Sequence, residues 1–310
     1  GKSKKGSQPP KNKIAHKHNL KKGDVIYITA PAKSIEKEHV NFAKNYLESK
    51  GFTVKISPHC LGQHHYFSGT DSERRADFQQ ALDDPSIKAI LCARGGYGSV
   101  RIIDDLQWAG FLRNPKWIIG FSDITYFHNK IHNFELPSIH GTMPLNFSSN
   151  TESALSSFIS TLEGGGTEFK IPSSSYNKDG EISGVLTGGN LSILYALLGT
   201  NDQVDYTGKI LFIEDLAENL YAIDRILYSF EKAGVFRKIK GLIVGGMTNL
   251  KDTEVPFGQN YQEIILDKFK YTKIPICFDF PVGHINDNHS LTFGKEAKLV
   301  VKKEYSFLEY

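Results

Sequence analysis

The residue in this chain best placed to do chemistry is Ser122, which stands where an apolar run, residues 117–121, turns through Gly120 toward a segment of helical character. A strand-to-helix turn displays a nucleophile beyond the edge of a sheet, and the first N–H groups of the helix lie beside it to hold an oxyanion. The second glycine of the usual nucleophile elbow is missing, and Ser-Asp pairs also cap helices. Ser122 is therefore a candidate nucleophile, with a helix cap as the alternative.

A glycine-rich turn, Arg94-Gly95-Gly96-Tyr97-Gly98, follows a second apolar run, residues 89–93. It does not match a phosphate or dinucleotide fingerprint, because it lacks a Lys-Ser/Thr pair and does not follow the first strand. Without Cβ atoms, Gly95 and Gly96 would let backbone N–H groups approach a reacting carbonyl. The turn is a candidate part of an oxyanion hole, with an ordinary tight turn as the alternative.

Two carboxylates and a histidine follow further apolar runs. Glu214 and Asp215 end the run at residues 209–213, and His284 follows Gly283 after another apolar segment. A carboxylate can fix the tautomer of a histidine base and stabilise its cation. A solvated strand end is the alternative for the carboxylates. Among eleven histidines, His284 is the candidate base, because its glycine neighbour and the loop after it indicate exposure at a cleft.

No metal or cofactor is predicted. His128 and His132 lie four residues apart but lack the intervening glutamate of a zinc-protease helix. The three cysteines are widely spaced and form no Cys-x-x-Cys pair, so neither a zinc site nor a disulfide framework is indicated.

Alternating strand and helix patterns must position these candidates. We predict strands at 25–30, 53–56, 89–93 and 117–121, and helices at 34–49, 71–82 and 99–106. This alternation indicates an α/β fold with a doubly wound, mostly parallel sheet, whose ligands bind at the carboxyl ends of the strands. We predict an N-terminal α/β domain at 21–150, a linker or flap at 151–183, because of its Ser/Gly-rich stretch, and a C-terminal domain at 184–310.

The charge of the chain is unevenly distributed. Eight lysines and no carboxylate precede Asp24, whereas the formal net charge of all 310 residues is only +3, so the body is acidic. We expect residues 1–20 to be a disordered basic tail. The body has no basic stripe interleaved with aromatic residues, so a nucleic-acid partner is not expected. No apolar run approaches the roughly 18 residues that cross a bilayer. We expect a cytoplasmic protein, and export stays open because residue 1 is glycine rather than methionine.

Five motifs in this order resemble the LD-carboxypeptidase family of serine peptidases. They lie at residues 93–98, 120–125, 188–192, 211–215 with 223–225, and 280–284. The resemblance runs from about Gly23 to the C-terminus. It implies an N-terminal α/β domain, a smaller C-terminal β-rich domain and a homodimer.

The resemblance also implies a catalytic triad of Ser122, His284 and Glu214. The oxyanion hole would combine the N–H of Asp123 with that of Gly96 or Gly95. The implied substrate is a murein stem tetrapeptide, from which terminal D-alanine is released. Alternatives are a peptidase that inactivates microcin C-like aminoacyl or peptidyl adenylates and, from a different class, a non-catalytic binding module. Candidate substrate-binding residues are Arg94, Tyr97 and Asn190.

Overall fold

The computed structural model describes residues 19–310, so most of the predicted tail lies outside the described residues. The prediction of disorder is wrong for residue 20, the last residue of the predicted tail. Leu20 is only 3% exposed and belongs to the apolar core of the N-terminal half. Its N–H donates to the carbonyl of Leu162 over 2.7 Å. The folded body therefore includes Leu20, because this side chain has an apolar surface to pack against.

Six strands form the first sheet, in the order β11-β5-β4-β3-β1-β2. The first five in the chain pair in parallel, and β11 adds an antiparallel edge from the C-terminal part of the chain. This arrangement confirms the predicted α/β fold. The strands are β1 Val25–Thr29, β2 Thr53–Ile56, β3 Ile87–Cys92, β4 Trp117–Gly120, β5 Ser138–His140 and β11 Leu291–Phe293.

Helices cover both faces of this sheet through two apolar clusters. The predicted helix at 99–106 is shorter in the structure and ends at Ile103, and a further short helix follows it. The helices of this half are α1 Lys37–Ser49, α2 Asp71–Asp83, α3 Val100–Ile103, α4 Ala109–Arg113, α5 Thr125–Asn133, α6 Pro144–Phe147 and α7 Glu152–Leu162.

Seven strands form the second sheet, in the order β10-β9-β8-β7-β12-β13-β6. The half from β10 to β7 is parallel, and the half from β7 to β6 is antiparallel. These strands are β6 Glu168–Pro172, β7 Gly180–Asn190, β8 Ile210–Leu216, β9 Gly241–Thr248, β10 Ile276–Cys277, β12 Glu296–Val301 and β13 Tyr305–Glu309. The accompanying helices are α8 Leu191–Leu197, α9 Leu220–Lys232, α10 Val235–Lys238 and α11 Tyr261–Asp267.

The predicted linker or flap at 151–183 is wrong. Its first part is α7, which buries Leu155, Phe158 and Leu162 in the N-terminal core. Its second part holds β6, which pairs with β13 at the edge of the second sheet. The serine and glycine content concealed an apolar stripe whose members recur every three or four residues. Within residues 19–310, no helix has the length and apolar character needed to span a bilayer.

Candidate active site

Ser122 occupies a strained turn between β4 and α5. The strand ends at Gly120, and a 3₁₀ turn, Ser122–Ile124, leads into the helix. A Cβ on Gly120 would lie 2.8 Å from Cγ1 of Ile124, so the turn requires glycine there. The φ angle of Ser122 is +63°, a left-handed conformation that costs a non-glycine residue roughly 1–2 kcal/mol. Such strain is common at functional sites, where the surrounding structure holds it.

Gly95 is the glycine that lies against the serine. A Cβ there would be 3.2 Å from Ser122 Oγ and 3.3 Å from the backbone nitrogen of Asp123. The same position on Gly96 would instead face other residues of the loops around the turn. The Asp123 carboxylate fastens the turn, since Oδ2 accepts the N–H of Ser99 over 2.9 Å. Burial raises the pKa of Asp123 above its usual value.

Glu214 and His284 are joined across the second sheet. Glu214 lies near the end of β8, is fully buried, and accepts a hydrogen bond of 2.6 Å at Oε2 from Nδ1 of His284. The histidine loop is fixed on both sides: Gly283 N–H donates to Oδ1 of Asn288 over 2.8 Å, and Thr248 Oγ1 donates to the carbonyl of His284 over 2.8 Å. Nδ1 is thus engaged, and within residues 19–310 Nε2 of His284 makes no hydrogen bond.

The charge of Glu214 controls the protonation of His284. Burial alone would lower the pKa of His284, because it disfavours the imidazolium. The charge and hydrogen bond of Glu214 outweigh burial and hold that pKa above its usual value, with a smaller contribution from Asp215. A histidine of this kind is neutral only toward higher pH and is strongly stabilised once it has accepted a proton.

Phe121 connects the two halves of the site. It directly precedes Ser122, and its ring centroid lies 4.8 Å from that of His284 in an edge-to-face contact. The residue that precedes Ser122 therefore contacts His284 across the two sheets. Within the described part of the chain, no hydrogen bond joins their side chains.

Asn190, a predicted substrate-binding residue, makes several hydrogen bonds within the protein. Its Nδ2 donates to Oε1 of Glu214 over 3.3 Å and to Oδ1 of Asp215 over 3.2 Å, and its Oδ1 accepts the N–H of Ile193 as the cap of α8. Its own N–H donates to Oγ1 of Thr125, at the start of the helix that follows Ser122, over 3.0 Å. Asn190 thus links Glu214 of the second sheet to the helix that follows Ser122.

Asp215 is a functional candidate whose partners sequence reasoning missed. Its Oδ2 accepts from the backbone N–H of Ser192 over 2.9 Å and from the hydroxyl of Ser192 over 2.6 Å. Burial raises the pKa of Asp215 to about 6, and the neighbouring Glu214 charge adds to the shift. The adjacent Glu-Asp pair at a strand end was the available signal, but nothing in the sequence pointed to its contact with a serine 23 positions earlier.

The remaining predicted substrate residues border the glycine turn. Arg94 is half-buried, and Nη1 makes a long hydrogen bond of 3.4 Å to the carbonyl of Ser34. Tyr97 is 48% exposed, with its ring 6.1 Å from that of Phe67. Among residues 19–310, no group of three or more histidine, cysteine, aspartate or glutamate side chains is placed to hold a metal ion.

The sequence matches both domains of one family. Residues 26–141 match the LD-carboxypeptidase N-terminal domain, and residues 183–299 match the LD-carboxypeptidase C-terminal domain. The chain belongs to the LD-carboxypeptidase family. A relative from Bacillus subtilis, described as a probable murein peptide carboxypeptidase, is 31% identical over 302 residues that cover 94% of this chain and 93% of the relative.

Solved structures agree with this family assignment. A muramoyltetrapeptide carboxypeptidase from Oxalobacter formigenes superposes with a TM-score of 0.83 at 28% identity, covering 92% of this chain and 97% of its own. The microcin C7 self-immunity protein MccF also has a TM-score of 0.83, with 94% of this chain and 97% of its own covered. At 22% identity, that second likeness concerns the fold alone.

Proposed function

We propose that this LD-carboxypeptidase family member is a serine carboxypeptidase that hydrolyses the L,D-peptide bond of murein stem tetrapeptides and releases terminal D-alanine. The observation that carries the proposal is the 2.6 Å bond between Glu214 and His284, with the ring of Phe121 bringing His284 beside the strained Ser122. The activities for which the B. subtilis and O. formigenes relatives are named support the substrate class.

In the proposed reaction, Ser122 Oγ bonds to the scissile carbonyl carbon while Nε2 of His284 accepts the hydroxyl proton. The C–N bond then breaks as His284 returns that proton to the departing amine, which leaves D-alanine and an ester on Ser122. Water, deprotonated by His284, hydrolyses the ester. Glu214 keeps the proton on Nδ1 and stabilises the imidazolium in both halves. Hydrogen bonds of this kind often shorten only when substrate is bound.

An oxyanion forms both when the ester on Ser122 is made and when water hydrolyses it, and it needs hydrogen-bond donors that are already in place. We assign this role to the N–H of Asp123, at the start of the 3₁₀ turn, and to a glycine N–H of the 95–96 pair. Gly95 is favoured because it borders both Ser122 Oγ and Asp123 N. One such donor is typically worth about 3 kcal/mol of transition-state stabilisation.

The adenylate alternative is less well supported. A nucleotide base would need a free aromatic platform, and the aromatic residues of the stretch 164–180 between the two halves are Phe169 and Tyr176. Phe169 packs on Phe280 with ring centroids 5.1 Å apart. Tyr176 accepts a hydrogen bond from Asn260 over 2.9 Å. Both aromatic residues are therefore engaged in the fold.

Mass spectrometry of a murein tetrapeptide incubated with the protein tests the function. We expect loss of one alanine, no cleavage of the peptide ending in L-alanine, and no inhibition by EDTA. Equal cleavage of the L-alanine peptide would contradict the assignment, as would an EDTA inhibition that zinc restores. The family resemblance also leads us to propose a homodimer, which sedimentation velocity measures directly.

A further inference from the structure

Two cationic side chains and a tyrosine surround the glycine turn next to Ser122. A Cβ placed on Gly96 would lie 2.8 Å from Cβ of Lys33 and 2.8 Å from the hydroxyl of Tyr66. The Lys33 ammonium lies 5.1 Å from the centroid of the Tyr66 ring. Arg94 directly precedes the turn. Gly96 has φ +87°, so glycine is needed there both for the conformation and for the space these side chains occupy.

Neither cation is neutralised by the protein. Within residues 19–310, no carboxylate oxygen lies within 4 Å of the charged nitrogens of Lys33 or Arg94, whereas Arg74 and Arg101 both pair with Asp71. Nε of Arg94 is buried and has no hydrogen-bond partner in the same part of the chain. Burial of a charge without a partner is unfavourable, so this arrangement is suited to receiving an anion.

The cluster is adjacent to the position of the reacting carbonyl. The backbone N–H of Lys33 approaches the carbonyl of Gly95 at 3.5 Å, and Gly95 borders Ser122 Oγ at 3.2 Å from its Cβ position. In a peptide, consecutive carbonyl carbons are separated by roughly 3–4 Å. A carboxylate one residue beyond the scissile bond, or on the side chain before it, is therefore within reach of these donors.

We propose that Lys33, Arg94 and Tyr66 form an anion subsite that binds a free carboxylate of the substrate next to the scissile bond. The inference rests on the proposed function and assigns specificity to Lys33 and Tyr66. Arg94 supplies a planar fork that can bind a carboxylate through two parallel hydrogen bonds, and Lys33 supplies a point charge. Two carboxylates have this chemistry: the α-carboxylate of the terminal D-residue and a side-chain carboxylate of the third residue.

Three substrates distinguish these sources: a diaminopimelyl tetrapeptide ending in D-alanine, the same peptide with a terminal amide, and the L-lysyl tetrapeptide, which lacks the side-chain carboxylate. The variant is Lys33→Met, which keeps the apolar stem beside Gly96 and removes the charge. Lys37→Met is the matched control, because Lys37 is an exposed lysine of the same segment, at the first position of α1. Tyr66→Phe is a second, milder variant of an exposed side chain.

We expect Lys33→Met to lower kcat/KM on the diaminopimelyl acid at least tenfold, with Lys37→Met within twofold of wild type. If the subsite binds the terminal carboxylate, the loss should vanish on the amide. If it binds the side-chain carboxylate, the loss should vanish on the lysyl peptide. Tyr66→Phe should show the same pattern with a three- to tenfold loss.

An equal loss on all three substrates, or no loss on any, overturns the subsite. If no substrate shows a loss but wild type cleaves the peptides, the subsite fails and the proposed function stands. If wild type cleaves none of the peptides while remaining folded, the proposed function itself fails. If Lys33→Met has a lowered melting temperature, the result for Tyr66→Phe decides the test instead.

Discussion

The two sheet edges that meet at the site position their residues in different ways. At the edge of the first sheet, Ser122 is held by backbone geometry, with a left-handed φ, Gly95 packed against it and Gly120 packed against Ile124 in the same turn. Its hydroxyl has no hydrogen-bond partner within the described residues. At the edge of the second sheet, Glu214 is held by side chains, with His284 on one oxygen and Asn190 on the other. The proposed nucleophile is thus preorganised by strain, and the proposed base by a hydrogen-bond network.

This difference has consequences for substitutions. A change at the first edge alters where the serine or the oxyanion donors lie, which affects the rate at every pH. A change at the second edge alters charges and hydrogen bonds around His284, which also moves the pH at which the base becomes active.

Removing a triad member should abolish most turnover from either edge. We expect Ser122→Ala and His284→Ala each to lower kcat about 10⁴-fold or more, and Glu214→Ala about 10³- to 10⁴-fold, because the three groups act as a unit. Steady-state assays on the tetrapeptide measure the loss, and circular dichroism checks the fold. Double variants should lose little more than single ones. Additive losses, or near-normal activity in any single variant, would remove that residue from the triad.

Asn190→Ala should lower activity through the lost hydrogen bonds to Glu214 and Asp215 rather than through the lost helix cap. We expect Asn190→Ala to lower kcat roughly 10- to 100-fold and to destabilise the protein by about 1–3 kcal/mol, because a buried carboxylate loses a donor. Asn260→Ala is the matched control, since Asn260 caps α11 in the same way and contacts neither Glu214 nor Asp215. The control should lose only about 1 kcal/mol of stability and no activity. Equal kinetic losses in both variants would show that the cap alone is responsible.

Substitutions at Asp215 and Gly95 should change the pH dependence of activity differently, because Asp215 lies at the edge of the second sheet and Gly95 at the edge of the first. Activity should fall as pH drops through the pKa of His284, which Glu214 holds above its usual value, because the protonated imidazole cannot act as a base. Asp215→Asn removes a charge that raises this pKa, so the midpoint should move to lower pH. Gly95→Ala crowds Ser122 and should lower kcat roughly tenfold with an unchanged midpoint. Profiles of kcat/KM against pH measure both, and a shifted midpoint in Gly95→Ala would contradict the distinction.

The same contrast explains what the sequence could predict. The strand, turn and helix around Ser122 could be predicted because the apolar run and the glycine that indicate them are adjacent in the sequence. The bonds of Asn190 and Asp215 were not, because they join residues 23 to 65 positions apart. Strands such as β12, with exposed and buried positions alternating, give a weaker signal than the buried parallel strands. Helix α7 was missed because serine and small residues interrupt its apolar face.

The smallest effect on activity is expected at His140, which lies in the core behind the site. It is fully buried among Phe121, Phe212 and Phe293, and neither ring nitrogen has a hydrogen-bond partner within residues 19–310. Burial lowers its pKa well below the usual value, with smaller contributions from His128 and His284. The folded state therefore keeps His140 neutral where the unfolded chain would protonate it.

The sign of the resulting stability change follows from proton binding. Above pH 6.5 neither state protonates His140, so its contribution to stability is fully present. As pH falls below that value the unfolded chain takes up a proton that the folded state refuses, and stability is lost by at most about 1.4 kcal/mol per pH unit. His140→Phe should remove this dependence while leaving kcat within about threefold, because a ring of similar size fits the aromatic surroundings. Urea unfolding of both proteins at pH 7, 6 and 5 measures the difference. Parallel stability profiles would show that His140 is protonated in the folded state as readily as in the unfolded chain.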